Sequence, residues 1–109
     1  MKMGWSQEEI RAALRSLGLK KSEIEIYVTL WRAGEPLGAR KIAERTGLSE
    51  KTVRKALKIM LEKGYVKGKR KGRGMVYSAV SARTIVERWK KSIEKRIGDI
   101  FSRLQFPWA

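Results

Sequence analysis

Cysteine, histidine and asparagine are all missing from this 109-residue chain, proline occurs twice, and the apolar residues never run on for long. Without Cys there is no disulfide framework, and thiols say nothing about compartment. Without Cys or His, neither a nucleophile–imidazole pair nor a zinc site of the usual kind can be assembled. The carboxylates that remain, 11 among 26 cations, are scattered and fall mostly at helix starts. No general acid–base pair, Gly-rich phosphate loop or dinucleotide fingerprint is found. The chain is therefore not expected to be an enzyme, and no metal and no cofactor are expected. A membrane span needs roughly 20 consecutive apolar residues, and a secretory signal has its own apolar block. Neither pattern occurs, so no membrane partner is expected and the chain reads as soluble and cytoplasmic. With Asn gone, Gln at two positions and charged residues at 34%, the composition leans towards thermophile usage, which sheds labile amides for Lys, Arg and Glu.

What is abundant is positive charge. The net charge is +15, with a pI near 10.6, whereas solubility of a small domain asks for roughly 2 to 8 charges. The excess implies an anionic partner, nucleic acid before anionic membrane. Its placement is uneven. Residues 1–37 hold six cations against five acids, residues 38–80 thirteen against three, and residues 81–109 seven against three. The basic third surrounds the stretch "TGLSEKTVRKALKIMLEKGYV" (residues 46–66).

Capping signals mark out the helices. Ser6 with Glu9 forms a capping box, and Trp5 with Ile10 has the spacing of a hydrophobic staple. Ile10, Ala13, Leu14 and Leu17 then share a face, so helix one spans about 7–17 with Gly18 as its exit. Ser22 with Glu25 reads as a second capping box, followed by an apolar face of Ile24, Tyr27, Val28, Leu30 and Trp31 up to Gly34. Tyr27, Trp31 and Trp5 are expected in the core. Gly38 can cap a short third helix whose Ala39, Ile42 and Ala43 point inward. Thr46-Gly47-Leu48-Ser49 is a tight turn, and Ser49 caps a fourth helix at about 50–63. Two helices joined by so short a Gly-containing turn form a helix-turn-helix unit. The fourth helix buries Val53, Ala56, Leu57, Met60 and Leu61 and presents Lys51, Thr52, Arg54, Lys55 and Lys58 outward. Two β-prone stretches, 65–69 and 75–80, then enclose a Gly-rich basic tip and form a hairpin.

The final helix follows Ser81. Val86, Trp89, Ile93, Ile97, Ile100 and Leu104 step by 3, 4, 4, 3 and 4 along one stripe. A helix over 82–104 would be about 35 Å long, more than a domain of some 80 residues, with a radius of gyration of roughly 12 Å, can cover. Part of the stripe needs other cover, and a second copy of the chain supplies it. Trp89 is either interface or core. Pro107 breaks the helix, leaving Phe106 and Trp108 in a tail. The expected fold is mainly α with a small β-hairpin: a winged helix-turn-helix domain over 1–80, then a dimerisation helix and short tail over 81–109.

A basic outer face is often no more than a solvated one, and lysines on a hairpin can merely protect a β edge. Here the fourth helix, Arg40 and Lys41 of the third, and the wing residues Lys67, Lys69, Arg70, Lys71 and Arg73 coincide, which favours a nucleic-acid surface. Ser49 and Thr52 sit at a helix N-terminus, where free N–H groups favour phosphate. Glu50 is the misfit there, a cytosine contact or a dipole partner. Nothing resembles the aromatic platforms that single strands or RNA require. The expected partner is double-stranded DNA, bound by a homodimer associated with the nucleoid. Two alternatives remain: a chromatin-like protein that coats DNA with little preference, and a winged-helix protein-interaction module. Nothing identifies a small-molecule effector.

"LGLKKSEIEIYVTLWRAGEPLGARKIAERTGLSEKTVRKALKIMLEKGYVKGKRKGRGMVYSAVSARTIVERW" resembles the winged-helix domain of TrmB-like archaeal transcription regulators. The likeness covers roughly residues 17–90. It rests on "LGL..SE.E.Y", on "A.KIAE.TG.S..TV...L..ML.KG.V" (a pattern shared widely among winged-helix regulators) and on "Y.AV" leading into a helix. It implies binding to double-stranded DNA, with Ser49 to Lys58 as recognition helix and Lys67 to Arg73 as wing. Larger members carry a C-terminal sugar-binding domain after the long helix. The sequence reaches only Ala109, so no sugar sensing is carried over.

Overall fold

A computed structural model describes residues 5–105 of the chain. The order is α1 (Gln7–Ser16), α2 (Lys21–Ala33), α3 (Ala39–Thr46), α4 (Glu50–Lys63), β1 (Val66–Lys71), β2 (Gly74–Ala79) and α5 (Ala82–Gln105). It is a winged helix-turn-helix with a long C-terminal helix. The trailing residues Phe106 and Trp108 lie outside the described range.

The α1 capping box forms as its sequence predicts: Glu9 N donates to Ser6 Oγ at 3.1 Å and Ser6 N to Glu9 Oε1 at 2.7 Å. The expected box at Ser22 and Glu25 does not form. α2 starts earlier than that box would place it, with Lys20 as N-cap and its backbone N–H donating to Glu23 Oε1 at 2.8 Å. Glu25 instead accepts from Arg11 of α1, Nη1 to Oε2 at 2.5 Å. A tertiary ion pair thus takes the carboxylate that local spacing assigns to a cap. The guanidinium beside it holds the Glu25 carboxyl below its ordinary range, desolvation pulling only partly the other way.

The core gathers Ile10 and Leu14 of α1, Ile24, Ile26, Tyr27, Val28 and Leu30 of α2, Ile42 of α3, and Val53, Leu57 and Met60 of α4. Tyr27 lies at its centre and is fully buried, whereas Trp31 is half-buried and Trp5 is 41% exposed. Of the staple pair, Ile10 alone is covered. Leu61 also departs from expectation and is exposed. It lies on the flank of α4 beside the hairpin, where an added Cβ on Gly68 would meet its Cδ2 at 3.5 Å.

The Tyr27 hydroxyl donates to the Val80 carbonyl at 2.5 Å, fastening α2 to the exit of the hairpin. Burial pushes the pKa of Tyr27 up to about 12. A phenol whose folded pKa exceeds its unfolded value of roughly 10 stabilises the fold fully below pH 10, and that stability is lost as pH rises towards 12. The expected result is that Tyr27→Phe costs about 1–2 kcal/mol at pH 7 through the lost hydrogen bond. Between pH 10 and 12 the intact protein should lose about 2–3 kcal/mol that the variant does not lose. Urea unfolding of both proteins across this range checks it; parallel pH profiles would contradict it.

β1 and β2 pair antiparallel from Val66↔Ala79 to Lys71↔Gly74. The strands reach closer to the tip than the expected 65–69 and 75–80, leaving Gly72 and Arg73 as a two-residue turn. Gly72 has φ +60°, a left-handed conformation that a side chain would strain. One pairing has no signal in the sequence. Leu37, in the α2–α3 connection, exchanges two backbone hydrogen bonds with Tyr77, at 2.9 and 2.8 Å. This isolated bridge anchors the hairpin beside the start of α3.

Among the described residues, α5 meets the body along its N-terminal part, as far as Trp89 and Ser92, which share a cleft with Leu17 and Tyr65. Ser81 Oγ caps it by accepting from Thr84 N at 3.1 Å, Ala82 and Ile85 are buried, and Arg88 Nη1 donates to Gly64 O at 3.0 Å. Along the predicted stripe, Val86 and Ile93 are half-buried, while Trp89, Ile97, Ile100 and Leu104 are exposed. Core is thus not the place of Trp89. Phe101, outside the predicted stripe, is 58% exposed and widens it. The projecting helix gives extents of 59 × 34 × 23 Å and a radius of gyration of 17.1 Å, against about 13 Å for a compact chain of this length. Among the described residues no helix is long and apolar enough to cross a membrane.

Candidate nucleic-acid interface

The α3–α4 turn depends on Gly47, at φ +80°, as the left-handed end of α3. Thr46 Oγ1 closes it, donating to Ile42 O at 2.8 Å and accepting from Leu48 N at 3.2 Å. The chain then enters α4 through Ser49, whose Oγ accepts from Thr52 N at 3.0 Å and donates to Thr52 Oγ1 at 2.9 Å. Ser49 therefore works as the N-cap, a contribution of about 1 kcal/mol.

Val53, Ala56, Leu57 and Met60 hold one side of α4 on the core. At 3.6 residues per turn this sends Lys51, Arg54, Lys55 and Lys58 outward, and all four are exposed, as is Thr52. Glu50 pairs with Arg54 one turn on, Oε2 to Nη2 at 2.6 Å. The acidic misfit thus orients the Arg54 guanidinium towards the N-terminal end of α4. Both partners are largely solvated, so the pair adds little stability. Arg40 and Lys41 are exposed on α3.

The hairpin divides its cations. Residues of one parity, Val66, Gly68 and Arg70, face the side on which Leu61 of α4 lies, since side chains alternate along a strand. Lys67, Lys69 and Lys71 take the opposite face, where Lys67 and Lys69 line a cleft with Pro36, Val76 and Ser78. Arg73 stands at the tip. All five expected wing cations are exposed, but they are spread over two faces and a turn of a paired ribbon. The Gly-rich tip suggests one flexible finger; pairing through to Lys71↔Gly74 leaves no such loop.

Two residues near α4 carry no signal in the sequence. Lys20 and Ser22, from the start of α2, share a cleft with Thr52 and Lys55. They are some 30 residues away along the chain, so only the packing of α2 on α4 reveals them.

A family model described as the sugar-specific transcriptional regulator TrmB matches residues 14–83. No curated protein sequence matches the chain. Among solved structures, a possible transcriptional regulator from Methanosarcina mazei superposes with a TM-score of 0.68 at 15% identity, covering 87% of this chain and 88% of its own. The ST1889 protein of the thermoacidophilic archaeon Sulfolobus tokodaii gives a TM-score of 0.63 at 20% identity, over 96% of this chain and all of its own. TrmBL2, an archaeal chromatin protein, gives 0.74 at 18% identity, but the likeness spans only 39% of that longer chain. At these identities the superpositions speak for the fold, and the family model speaks for descent. It covers most of the chain, from the end of α1 through the hairpin to the first residues of α5, and on that match the chain belongs to the TrmB family of transcriptional regulators.

Proposed function

We propose that the chain is a sequence-reading regulator of transcription that binds double-stranded DNA as a homodimer. α4 enters the major groove, the hairpin lies along the backbone, and α5 joins two protomers. Residues 1–80 form the reading module and residues 81–109 the joining one. The observation that carries the reading is the shared exposure of every cation of α4 and the hairpin beside Arg40 and Lys41, in a segment where thirteen cations face three acids. So much like charge gathered on one small body raises its self-repulsion, and a polyanion relieves it.

Arg54 and Lys55 have side chains long enough for guanine edges or phosphates. A guanidinium oriented by Glu50 suits a bidentate base contact, worth about 1–3 kcal/mol of discrimination. Replacing Arg54 and Lys55 with Ala is expected to weaken duplex binding at least about tenfold. The melting temperature should stay nearly unchanged, because both side chains are exposed. Fluorescence anisotropy and thermal unfolding measure the two, and a large loss of stability would show that α4 faces the other way.

A second reading is favoured by one observation: TrmBL2, an archaeal chromatin protein, superposes on 92% of this chain. Under it, the chain coats DNA with little sequence preference. Salt titration on a selected operator and a random duplex separates the two. A regulator keeps a large affinity ratio at physiological salt, whereas a coating protein shows a ratio near one.

A further inference from the structure

A cleft between the first turn of α2 and α4 lies apart from the hairpin and adds Lys20 to the cations of α4. We propose that it is a phosphate clamp for the DNA strand on the side of the groove away from the hairpin, which rests on the DNA-binding reading above.

Lys20 at the N-cap of α2, Ser22 in its first turn, and Thr52 and Lys55 of α4 line this cleft, about 230 Å3 in volume. Two lysines from separate elements therefore converge with two hydroxyls. A lysine ammonium is a compact charge with three donors, and Ser and Thr hydroxyls donate readily to phosphate oxygens. Thr52 Oγ1 already accepts from Ser49, which leaves its own proton directed elsewhere. The one carboxylate in the wall, Glu23, is 4% exposed and accepts from the Lys20 backbone N–H.

The position matches what a groove requires. Ile59 lines the cleft and Leu61 adjoins the hairpin. These residues lie about 160° apart around α4, because two residues advance roughly 200°. The hairpin and the first turn of α2 consequently flank α4 on opposite sides, with Lys51 and Lys58 on the crest between them. A helix with side chains, about 10–12 Å across, fills a major groove about 12 Å wide. Each bounding backbone then comes to rest beside one flank: one strand at the hairpin, the other at Lys20 and Lys55. A contact set back from the crest meets phosphate before it meets base edges.

The test is the salt dependence of duplex binding by the intact chain and by Lys20→Ala, on one selected and one random duplex. The Ala variant is expected to lower the log–log slope by about 0.9 per protomer, the equivalent of one phosphate contact. Affinity should fall by the same factor on both duplexes, with an unchanged melting temperature, since the cap uses the Lys20 backbone and not its side chain. Lys20→Arg should restore the slope. An unaltered slope in Lys20→Ala, while Arg54→Ala with Lys55→Ala still weakens binding, overturns the clamp and leaves the DNA reading standing. A loss confined to one duplex also overturns it, because Lys20 would then read a base. Failure of the intact chain to bind any duplex overturns the DNA reading, and the clamp with it.

Discussion

At micromolar concentration the intact chain is expected to sediment as a dimer, and Ile97→Asp with Ile100→Asp as a monomer. The motive is the outer half of α5. Ile97, Ile100 and Leu104 are 46%, 53% and 46% exposed on one stripe, with Phe101 beside them. Fully burying such a side chain contributes about 1.5–3 kcal/mol, and a marginally stable small protein forgoes much if it leaves a row of them wet. A symmetric pairing buries the same residues on both chains at once. Acids among the flanking cations, Glu94 and Asp99 beside Lys90, Lys91, Lys95, Arg96 and Arg103, offer a second copy some opposite charge. Because each Asp enters the interface twice, the double variant should raise the dissociation constant by at least about a thousandfold. Its winged part should melt as before, since neither residue touches the core. Such a pairing would also hold two α4 helices in fixed relation. The preferred site should then be an inverted repeat with half-sites about one helical turn, roughly 34 Å, apart. A monomeric intact chain, or a double variant that still pairs, rejects this arrangement of α5.

Removing most of the charge of the hairpin should have the other large effect. With Lys69, Arg70, Lys71 and Arg73 all changed to Ala, the log–log salt slope should drop by about 0.9 for each phosphate no longer neutralised. At low salt this amounts to orders of magnitude in affinity, and it should be the same on selected and random duplexes because the backbone is what such residues touch. Backbone pairing from Val66 to Lys71 does not use these side chains, so the hairpin should persist in circular dichroism. Salt dependence equal to that of the intact chain would return the wing lysines to edge protection.

Helix existence was legible because caps and glycine stops are local devices. Ser6, Ser49 and Ser81 precede their helices as the sequence suggests, and each accepts from the backbone three residues on. Where packing opposed a local reading, packing won. Glu25 stands three residues after Ser22, a plausible cap, yet the arrival of Arg11 from α1 assigns it to an ion pair, and Glu23 serves the Lys20 backbone instead. Leu61 belongs to the apolar face of α4 by periodicity, yet it lies where the hairpin offers Gly68 and little cover. The strand "VKGKRK" has weak β character of its own, and its ladder is imposed by Met75, Val76 and Tyr77 opposite. For the candidate interface, residue types and exposure could be read in advance. The division of the hairpin cations over two faces could not, because it follows from the register Gly68↔Tyr77, and a slip of one residue would exchange the faces. Lys20 and Ser22 stayed hidden for a simpler reason: they reach α4 only when the helices pack.

The stripe on α5 has a longer period than its individual steps suggest. Val86 and Ile97, Trp89 and Ile100, and Ile93 and Leu104 are each eleven residues apart. Eleven residues over three turns is about 3.67 per turn, slightly more than the 3.6 of a straight helix, whereas the heptad of a left-handed coiled coil has 3.5. The apolar band therefore drifts by only about 20° per repeat, and in the sense opposite to a heptad seam. Two such helices laid together stay nearly straight, with any winding right-handed. In a dimer joined through α5, the 24 residues of each helix, about 36 Å, would act as a stiff rod. The relative orientation of the two winged bodies would then follow the phase of the stripe around α5, where it leaves Ile85 and Arg88, and not superhelical twist accumulated along the pair.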